Sequence, residues 1–301
     1  MQVALYTVDV FTRRPFGGAQ VAVLPDAAGV PPAQMQRIAG ELNLPASVFL
    51  TPAQAAHSWR IRVFTPDEEV DFAAQAVLAA GHVLALGGYL PGGGEVELQH
   101  AFGPVRARVE PQADGTGFVQ FSRTVHPVID RFVPSPEELA GILSLPRREL
   151  VQRDLQPLLV ACERPYLMVP LRRLEAVRQA RFDAGAWARS HAPAMLAQEL
   201  MLFNRQCESP QADFHARLLG PAIGPREDPP VGAALPAFAA YLAAQPTVRP
   251  GTHTLTVERG LDATRKSLLQ AEFDKRVQRG LALRVGGYAV QVFSGHFSLP
   301  H

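Results

Sequence analysis

The stretch RVFTPDEEVDFAAQAVLAAGHVLALGG, residues 62–88, decides the fold. Its first residues close an apolar run from Trp59 to Phe64 that predicts a strand. Acidic residues then crowd together at Asp67, Glu68, Glu69 and Asp71. From Phe72 to Leu86 there is no charged residue, and Gly87-Gly88 ends the run. Acids at the front, alanine and leucine through the body and glycine at the end are the start and stop signals of a helix. This helix is apolar on every side, so it has to be buried on every side.

Working outward, Val3–Phe11, Val21–Leu24 and Ser47–Leu50 read as strands, and Ala33–Leu42 has helical periodicity through Met35, Ile38 and Leu42. Glu95–Gln99, Val105–Glu110 and Phe118–Phe121 continue the strands. The pattern weakens from Arg123 to Pro134, which predicts a boundary: a first lobe of 1–122 plus 287–301, and a second of 123–286. In the second, Leu158–Cys162, Tyr166–Leu171 and His215–Leu219 read as strands, and Leu196–Phe203 as a short helix or strand. A second apolar helix is expected from Val231 to Ala244, and Val285–Phe293 leads from a glycine turn into a strand. The halves resemble each other. Arg62-x-Phe64-x-Pro66 followed by Asp71 and an alanine-rich run is matched by Arg217-x-Leu219-x-Pro221 followed by Asp228 and a similar run. Aligning Asp71 with Asp228 pairs Ala76 with Ala233. From the residues alone this is either chance likeness between alanine-rich helices or a repeated lobe, with sheet wrapped round one buried helix in each copy.

Composition narrows the function. The chain has 301 residues, 47% hydrophobic and 19% charged, enough to bury a sizeable core. Basic and acidic residues nearly cancel, 29 against 28, and no long basic block occurs, which argues against a nucleic-acid or membrane-surface partner. Cys162 and Cys207 lie far apart, so no disulfide framework is expected, and a reducing, cytoplasmic setting follows. The opening MQVALYTVDVF has neither the basic region nor the cleavage site of a leader. No histidine pair has metal-ligand spacing, so no metal is expected.

A helix start offers unpaired N–H groups and the positive end of a dipole. Ala73, Ala74 and Gln75 on one side, with Val231, Gly232 and Ala233 on the other, could hold a carboxylate in a cleft between the lobes. The competing reading is that small residues there serve only tight packing of helix on sheet.

The stretches VDVFTRRPFGG, MQRIAGELNL, RIRVFTPDEEVDFA, ERPYLMVPL, REDPPVGAA, VERG and VGGYAVQV run in order along nearly the whole chain. In them the chain resembles the PhzF-like family, the phenazine-biosynthesis isomerases with a diaminopimelate-epimerase fold. The resemblance implies an α+β architecture of two pseudo-symmetric lobes, each a mixed sheet round a central buried helix. It also implies a cofactor-independent isomerase acting on a small carboxylated metabolite, with a homodimer as one open assembly. In that family a Glu in NLSET moves the carbon-bound proton. A His in FAGHAT and the Asp of EDPATGSA assist, and the helix starts hold the carboxylate.

This chain departs from those motifs where they carry the chemistry. NLSET reads Asn43-Leu44-Pro45-Ala46-Ser47, so the base position is Ala46. FAGHAT reads Phe72-Ala73-Ala74-Gln75-Ala76-Val77, so the His position is Gln75. Asp228 is kept, Gly18-Ala19-Gln20 replaces GNP, and GRPS reads Thr264-Arg265-Lys266-Ser267. Alanine transfers no proton and glutamine does not titrate usefully. The implied catalytic candidate is Asp228, with Gln75 at the His position. The implied binding candidates are Ser47, Ala74, Gln75, Gly232 and Ala233. Glu69, Asp71 and Glu227 are expected to favour the helix dipoles, and Glu41 to point elsewhere. Three functions stay open: an isomerase leaning on Asp228, a redirected reaction such as carbon–carbon hydrolysis with Gln75 and helix N–H groups on an oxyanion, or a non-catalytic binder of a small acid or a protein.

Overall fold

The computed structural model describes residues 2–150, 154–162, 164–224, 228–260, 265–276 and 280–298. In chain order the elements are β1 (Gln2–Val10), β2 (Ala19–Leu24), α1 (Pro32–Leu42), β3 (Ala46–Pro52), β4 (Ser58–Phe64), β5 (Glu69–Val70), α2 (Ala74–Leu86), β6 (Gly94–His100), β7 (Gly103–Pro111) and β8 (Thr116–Val125). There follow β9 (Val128–Asp130), α3 (Pro136–Ile142), β10 (Leu158–Ala161), β11 (Pro165–Pro170), α4 (Leu174–Gln179), α5 (Ala184–Arg189), β12 (Glu199–Asn204), β13 (Phe214–Leu219), α6 (Leu235–Ala243), β14 (Gly251–Arg259), β15 (Ser267–Lys275) and β16 (Leu281–Ser298). Two compact units emerge, 1–123 with 261–269 and 284–301, and 124–260 with 270–283. The sequence put 261–269 in the second lobe; it belongs to the first unit.

The first unit is a barrel. Its strands run β1-β2-β3-β4-β6-β7-β8-β16, and β16 pairs back onto β1 from Gln2↔Ser298 to Val10↔Ala289. Closure leaves no unpaired edge in this ring. Inside it, α2 packs on β1, β2, β3 and β7. Val77, Leu78, Val83 and Leu84 are fully buried, each contributing about 1.5–3 kcal/mol of burial. The wall stands close to the helix. A Cβ on Gly81 would lie 3.0 Å from both Val109 and Val119, and one on Gly117 only 2.6 Å from the ring of His82. Outside the barrel, α1 sets Met35, Ile38 and Ala39 on Ala22, Leu24, Phe49 and Phe64.

The second unit repeats the connectivity. In the first, β1/β2 is antiparallel, β2/β3 parallel, β3/β4 antiparallel and β4/β6 parallel. In the second, β10/β11, β11/β12, β12/β13 and β13/β14 follow the same alternation. Each parallel pair needs a crossover, and the last crossover of each series carries the apolar helix, α2 or α6. Around α6, Phe203, Phe214, Phe238 and Tyr241 pack ring on ring at 4.8–6.3 Å. Helices α3 to α5 bury Leu139, Ile142, Val177 and Trp187 against Leu167, Val169, Leu200 and Leu202. Arg217 on β13 donates to the carbonyls of Val177, Arg178 and Ala180 at the end of α4, a favourable place for a cation.

The sequence reading made no prediction of α3 to α5, β14 or β15, and β16 runs straight through Gly286-Gly287 where it expected a turn; two further elements are corrected or resolved. The second apolar helix does not start at Val231: residues 231–234 form a 3-10 turn, and α6 begins at Leu235 with Pro236 in its first turn. Proline lacks an N–H and is tolerated only there, so it fixes the start. The run Leu196–Phe203, open between helix and strand in the sequence, is strand from Glu199 onward, as β12 paired on both sides.

Three outcomes follow from the packing of α2. Ala80→Asp places an unpaired charge at a fully buried position, costing several kcal/mol of the roughly 5–15 kcal/mol a domain has; insoluble or molten protein is expected. Gly81→Val drives a side chain into the wall and should cost about 1–3 kcal/mol by urea denaturation. Burial lowers the pKa of His82 to about 4. The unfolded chain then takes up a proton that the folded one refuses. Stability from this group is complete above pH ~6.5 and falls as pH drops toward 4, by up to about 3 kcal/mol. His100, lowered to about 4 chiefly by burial, shares this sign. Urea midpoints at pH 7.5 and 4.5 should therefore converge in His82→Gln relative to the parent chain.

Candidate active site

Strand β3 opens at Ala46, which is buried and lies opposite Val21 of β2. Ser47 lies opposite Ala22 and Phe64, both in the α1 core. Paired residues share a face and successive residues alternate, so Ala46 and Ser47 look to opposite sides of the sheet. Ser47, expected among the ligand contacts with Ala46, is therefore on the α1 side. Its hydroxyl is buried with no hydrogen-bond partner among the described residues.

The start of α2 is bare. Its N-cap is Ala73, which has no side chain to cap with, and its first turn holds no acid. The carbonyl of Ala73 takes the N–H groups of Ala76 and Val77 at 3.0 and 3.4 Å. Glu69, expected to favour this helix end, is drawn away: Arg62 grips it with both arms at 2.7 and 2.6 Å. That hydrogen bond holds the Glu69 carboxyl below its usual range. Asp71 offers its carbonyl to His100 Nδ1 at 3.2 Å, and Glu41 is exposed on α1. Gln75 is half-buried, and its amide oxygen is enclosed without a partner among the described residues. Buried polar atoms are almost always satisfied, so this one stands out beside a helix start that is itself uncapped.

A turn at residues 12–18 is fixed by an ion pair between a buried acid and a partly exposed arginine that the sequence reading did not single out. Asp9 is buried, accepts the N–H of Phe16 at 2.6 Å and pairs with Arg265. Burial raises the Asp9 pKa, with Arg265 opposing it. Arg265 also donates to the carbonyls of Gly17 and Gly18 at 2.7 and 3.1 Å. Gly18 sits at φ +59°, and a Cβ there would fall 2.0 Å from the Val10 carbonyl oxygen, so only glycine fits. Ser267, the last residue of TRKS, has a buried hydroxyl without a partner among the described residues.

In the second unit, Asp228 lies 3.2 Å from Arg259 Nε, and its Oδ1 is buried with no partner among the described residues. Gly232 and Ala233 lie in the 3-10 turn, which like α6 has no side-chain cap. Asp228 thus serves Arg259 rather than a helix end; Glu227 lies outside the described residues. Next to Arg259, the fully buried Glu258 accepts the N–H groups of Glu208 and Ser209 at 2.6 and 2.8 Å and bonds His215 Nδ1 at 2.9 Å. Burial pushes its pKa up, but these donors outweigh burial and the net direction is down. In VERG an acid and an arginine stand side by side at the end of β14, where successive side chains face opposite ways.

Among the described residues no helix is long and apolar enough to cross a membrane. The family model described as "Phenazine biosynthesis-like protein" matches residues 8–295. An uncharacterized isomerase of Mesorhizobium japonicum is 31% identical over 300 residues, covering 98% of this chain and 99% of the relative. The trans-2,3-dihydro-3-hydroxyanthranilate isomerase of Pseudomonas fluorescens is 27% identical over 285 residues, 94% of this chain and 95% of that protein. The fold matches the crystal structure of a PhzF-family phenazine biosynthesis protein of Bacillus anthracis with a TM-score of 0.86 at 21% identity, covering 99% and 100% of the two chains. A probable proline racemase of Agrobacterium radiobacter shares the fold more distantly, with a TM-score of 0.62 at 12% identity, covering 99% of this chain and 93% of that one. This chain is a member of the phenazine biosynthesis-like PhzF family, an α+β homologue of its isomerases.

Proposed function

We propose that this chain binds a small carboxylated metabolite and has given up the proton shift that its family's motifs support. The observation that carries this reading is the pair of residues at the two proton-transfer positions: the buried Ala46 and the non-titrating Gln75. A carbon acid needs a positioned base, and each such group typically contributes about 10²–10⁴-fold. Losing both removes most of the acceleration even with Asp228 in place. What remains suits binding. Backbone N–H groups of Ala74 and Gln75 at the uncapped start of α2 supply donors for a carboxylate oxygen, and the enclosed Gln75 amide oxygen can accept from a hydroxyl or amine elsewhere on the metabolite. A methyl group at Ala46 where a carboxylate would stand leaves a less polar lining, which favours a ring-bearing acid over a small hydrophilic one.

A redirected reaction is the second reading, and Asp228 favours it. Arg259 lies against the Asp228 side chain, one of whose oxygens is buried and unpartnered among the described residues. A group of that kind accepts a hydrogen bond from a ligand hydroxyl or amine.

The test is proton NMR in deuterated buffer with trans-2,3-dihydro-3-hydroxyanthranilate, for which the Pseudomonas fluorescens relative is named. The parent chain should exchange no carbon-bound proton above background, and Asp228→Asn should leave that unchanged. Rapid exchange by the parent chain would show another base at work and end the proposal. Exchange abolished in Asp228→Asn would assign that base to Asp228.

A further inference from the structure

A cavity of about 470 Å³ opens in the first unit beside α1, β3, β4 and the segment 69–71. Strand register sets its wall. On β3 and β4, Thr51 lies opposite Arg60 and Phe49 opposite Arg62, and Gln99 of β6 stands beside Arg60. Paired residues share a face, so these side chains emerge together, on the side of the sheet that carries α1. Ala46, an odd number of residues from Phe49, faces the other side of β3. The deep lining is apolar: Met35 and Phe49 are both buried.

Four charged side chains line the cavity: Arg60, Arg62, Glu69 and Asp71. Two of them are committed to each other, since Arg62 donates to both oxygens of Glu69 at 2.7 and 2.6 Å. The other two, Arg60 and Asp71, are exposed at the rim, and neither side chain has an ion-pair or hydrogen-bond partner among the described residues. Gln99 donates its amide nitrogen to Ser58 Oγ at 3.0 Å, which leaves its amide oxygen to accept. Each uncommitted group thus has a defined need: Arg60 an anion, Asp71 a cation, Gln99 a donor. A plain anion would face Asp71 and a plain cation would face Arg60. A ligand with one charge of each sign meets both. Neighbouring strands stand about 4.8 Å apart, so Arg60 and Gln99 are close enough to serve a carboxylate and an ammonium carried on one carbon.

We infer that this cavity is a binding site for an α-amino acid with an apolar side chain. Its carboxylate pairs with Arg60, its ammonium is shared by Asp71 and Gln99, and its side chain rests on Met35 and Phe49. The site is separate from the proposed carboxylate site at the start of α2 and does not depend on it. The Arg62–Glu69 pair walls the cavity without competing for the ligand's charges. The apolar lining sets selectivity among amino acids, at about fourfold per buried methylene.

The test is calorimetric titration of the full chain, as parent, Arg60→Gln and Asp71→Asn, with L-leucine, glycine, 4-methylpentanoate and 3-methylbutylamine as probes. Leucine should bind the parent, and the other three should bind it about tenfold or more weakly, each lacking one of the three contacts. Each variant should lose about tenfold or more in leucine affinity, with a melting temperature close to the parent's because both positions are exposed. The single-charge analogues separate the roles: Arg60→Gln should not weaken 3-methylbutylamine, and Asp71→Asn should not weaken 4-methylpentanoate. Failure of leucine to bind the parent overturns the inference. Leucine binding that both variants leave intact overturns it as well, because the ligand then sits elsewhere on the chain. If 4-methylpentanoate binds the parent as tightly as leucine, the ammonium has no place and the amino-acid assignment is wrong. None of these results bears on the start of α2, whose reading rests on other residues.

Discussion

The rest of the structure depends on a helix that cannot face water. From Ala76 to Leu84 the only polar side chain of α2 is His82, and the helix has no face on which to meet solvent. A flat sheet would cover one side of it. A closed ring covers all of them, and β16 returning to β1 closes that ring. The close approach of the wall follows from the small residues on both partners. Gly81 on the helix, Gly117 on β8 and Gly287 on β16 all stand where a Cβ would meet a neighbour at 3.0 Å or less. Packing this dense transmits change poorly into relaxation and well into strain.

Enclosing the helix body has a consequence at its start. The first N–H groups of any helix lack partners within the helix, and α2 supplies no side chain to satisfy them. Ala73 and Ala74 leave the backbone accessible in chemistry if not in area, and Gln75 brings an amide where the family's motif has a titrating ring. On the proposed reading, the same scaffold supports anion recognition independently of proton transfer, and replacing the two transfer residues changes what the site does to a ligand while leaving the helix that orients it.

Much of this was legible in the residues. The uncharged run 72–86, framed by acids and glycines, announced a buried helix, and the recurrence around Asp228 announced its counterpart. The alternation of parallel and antiparallel pairs in both units is the physical form of that recurrence. Three things were hidden. The capping box Ser135-x-x-Glu138 opens α3 just past the stretch from Arg123 to Pro134 where the pattern weakens, and the helix start there went unread. The facing of Ser47 depends on strand register, which sequence alternation alone does not fix when every residue of β3 from Ala46 to Leu50 is buried. The Asp9–Arg265 and Asp228–Arg259 pairs join residues far apart in sequence, 256 positions in the first case, and no local pattern records such a contact.

The central claim is that the bare start of α2 is a carboxylate site without a proton-transfer partner. Amide chemical shifts of the ¹⁵N-labelled chain during titration with benzoate address it most directly. The account predicts saturable shifts concentrated on the backbone amides of Ala74, Gln75 and Ala76 and on the Gln75 side-chain amide. Saturating shifts confined to other parts of the chain, with those four signals unmoved, would contradict it.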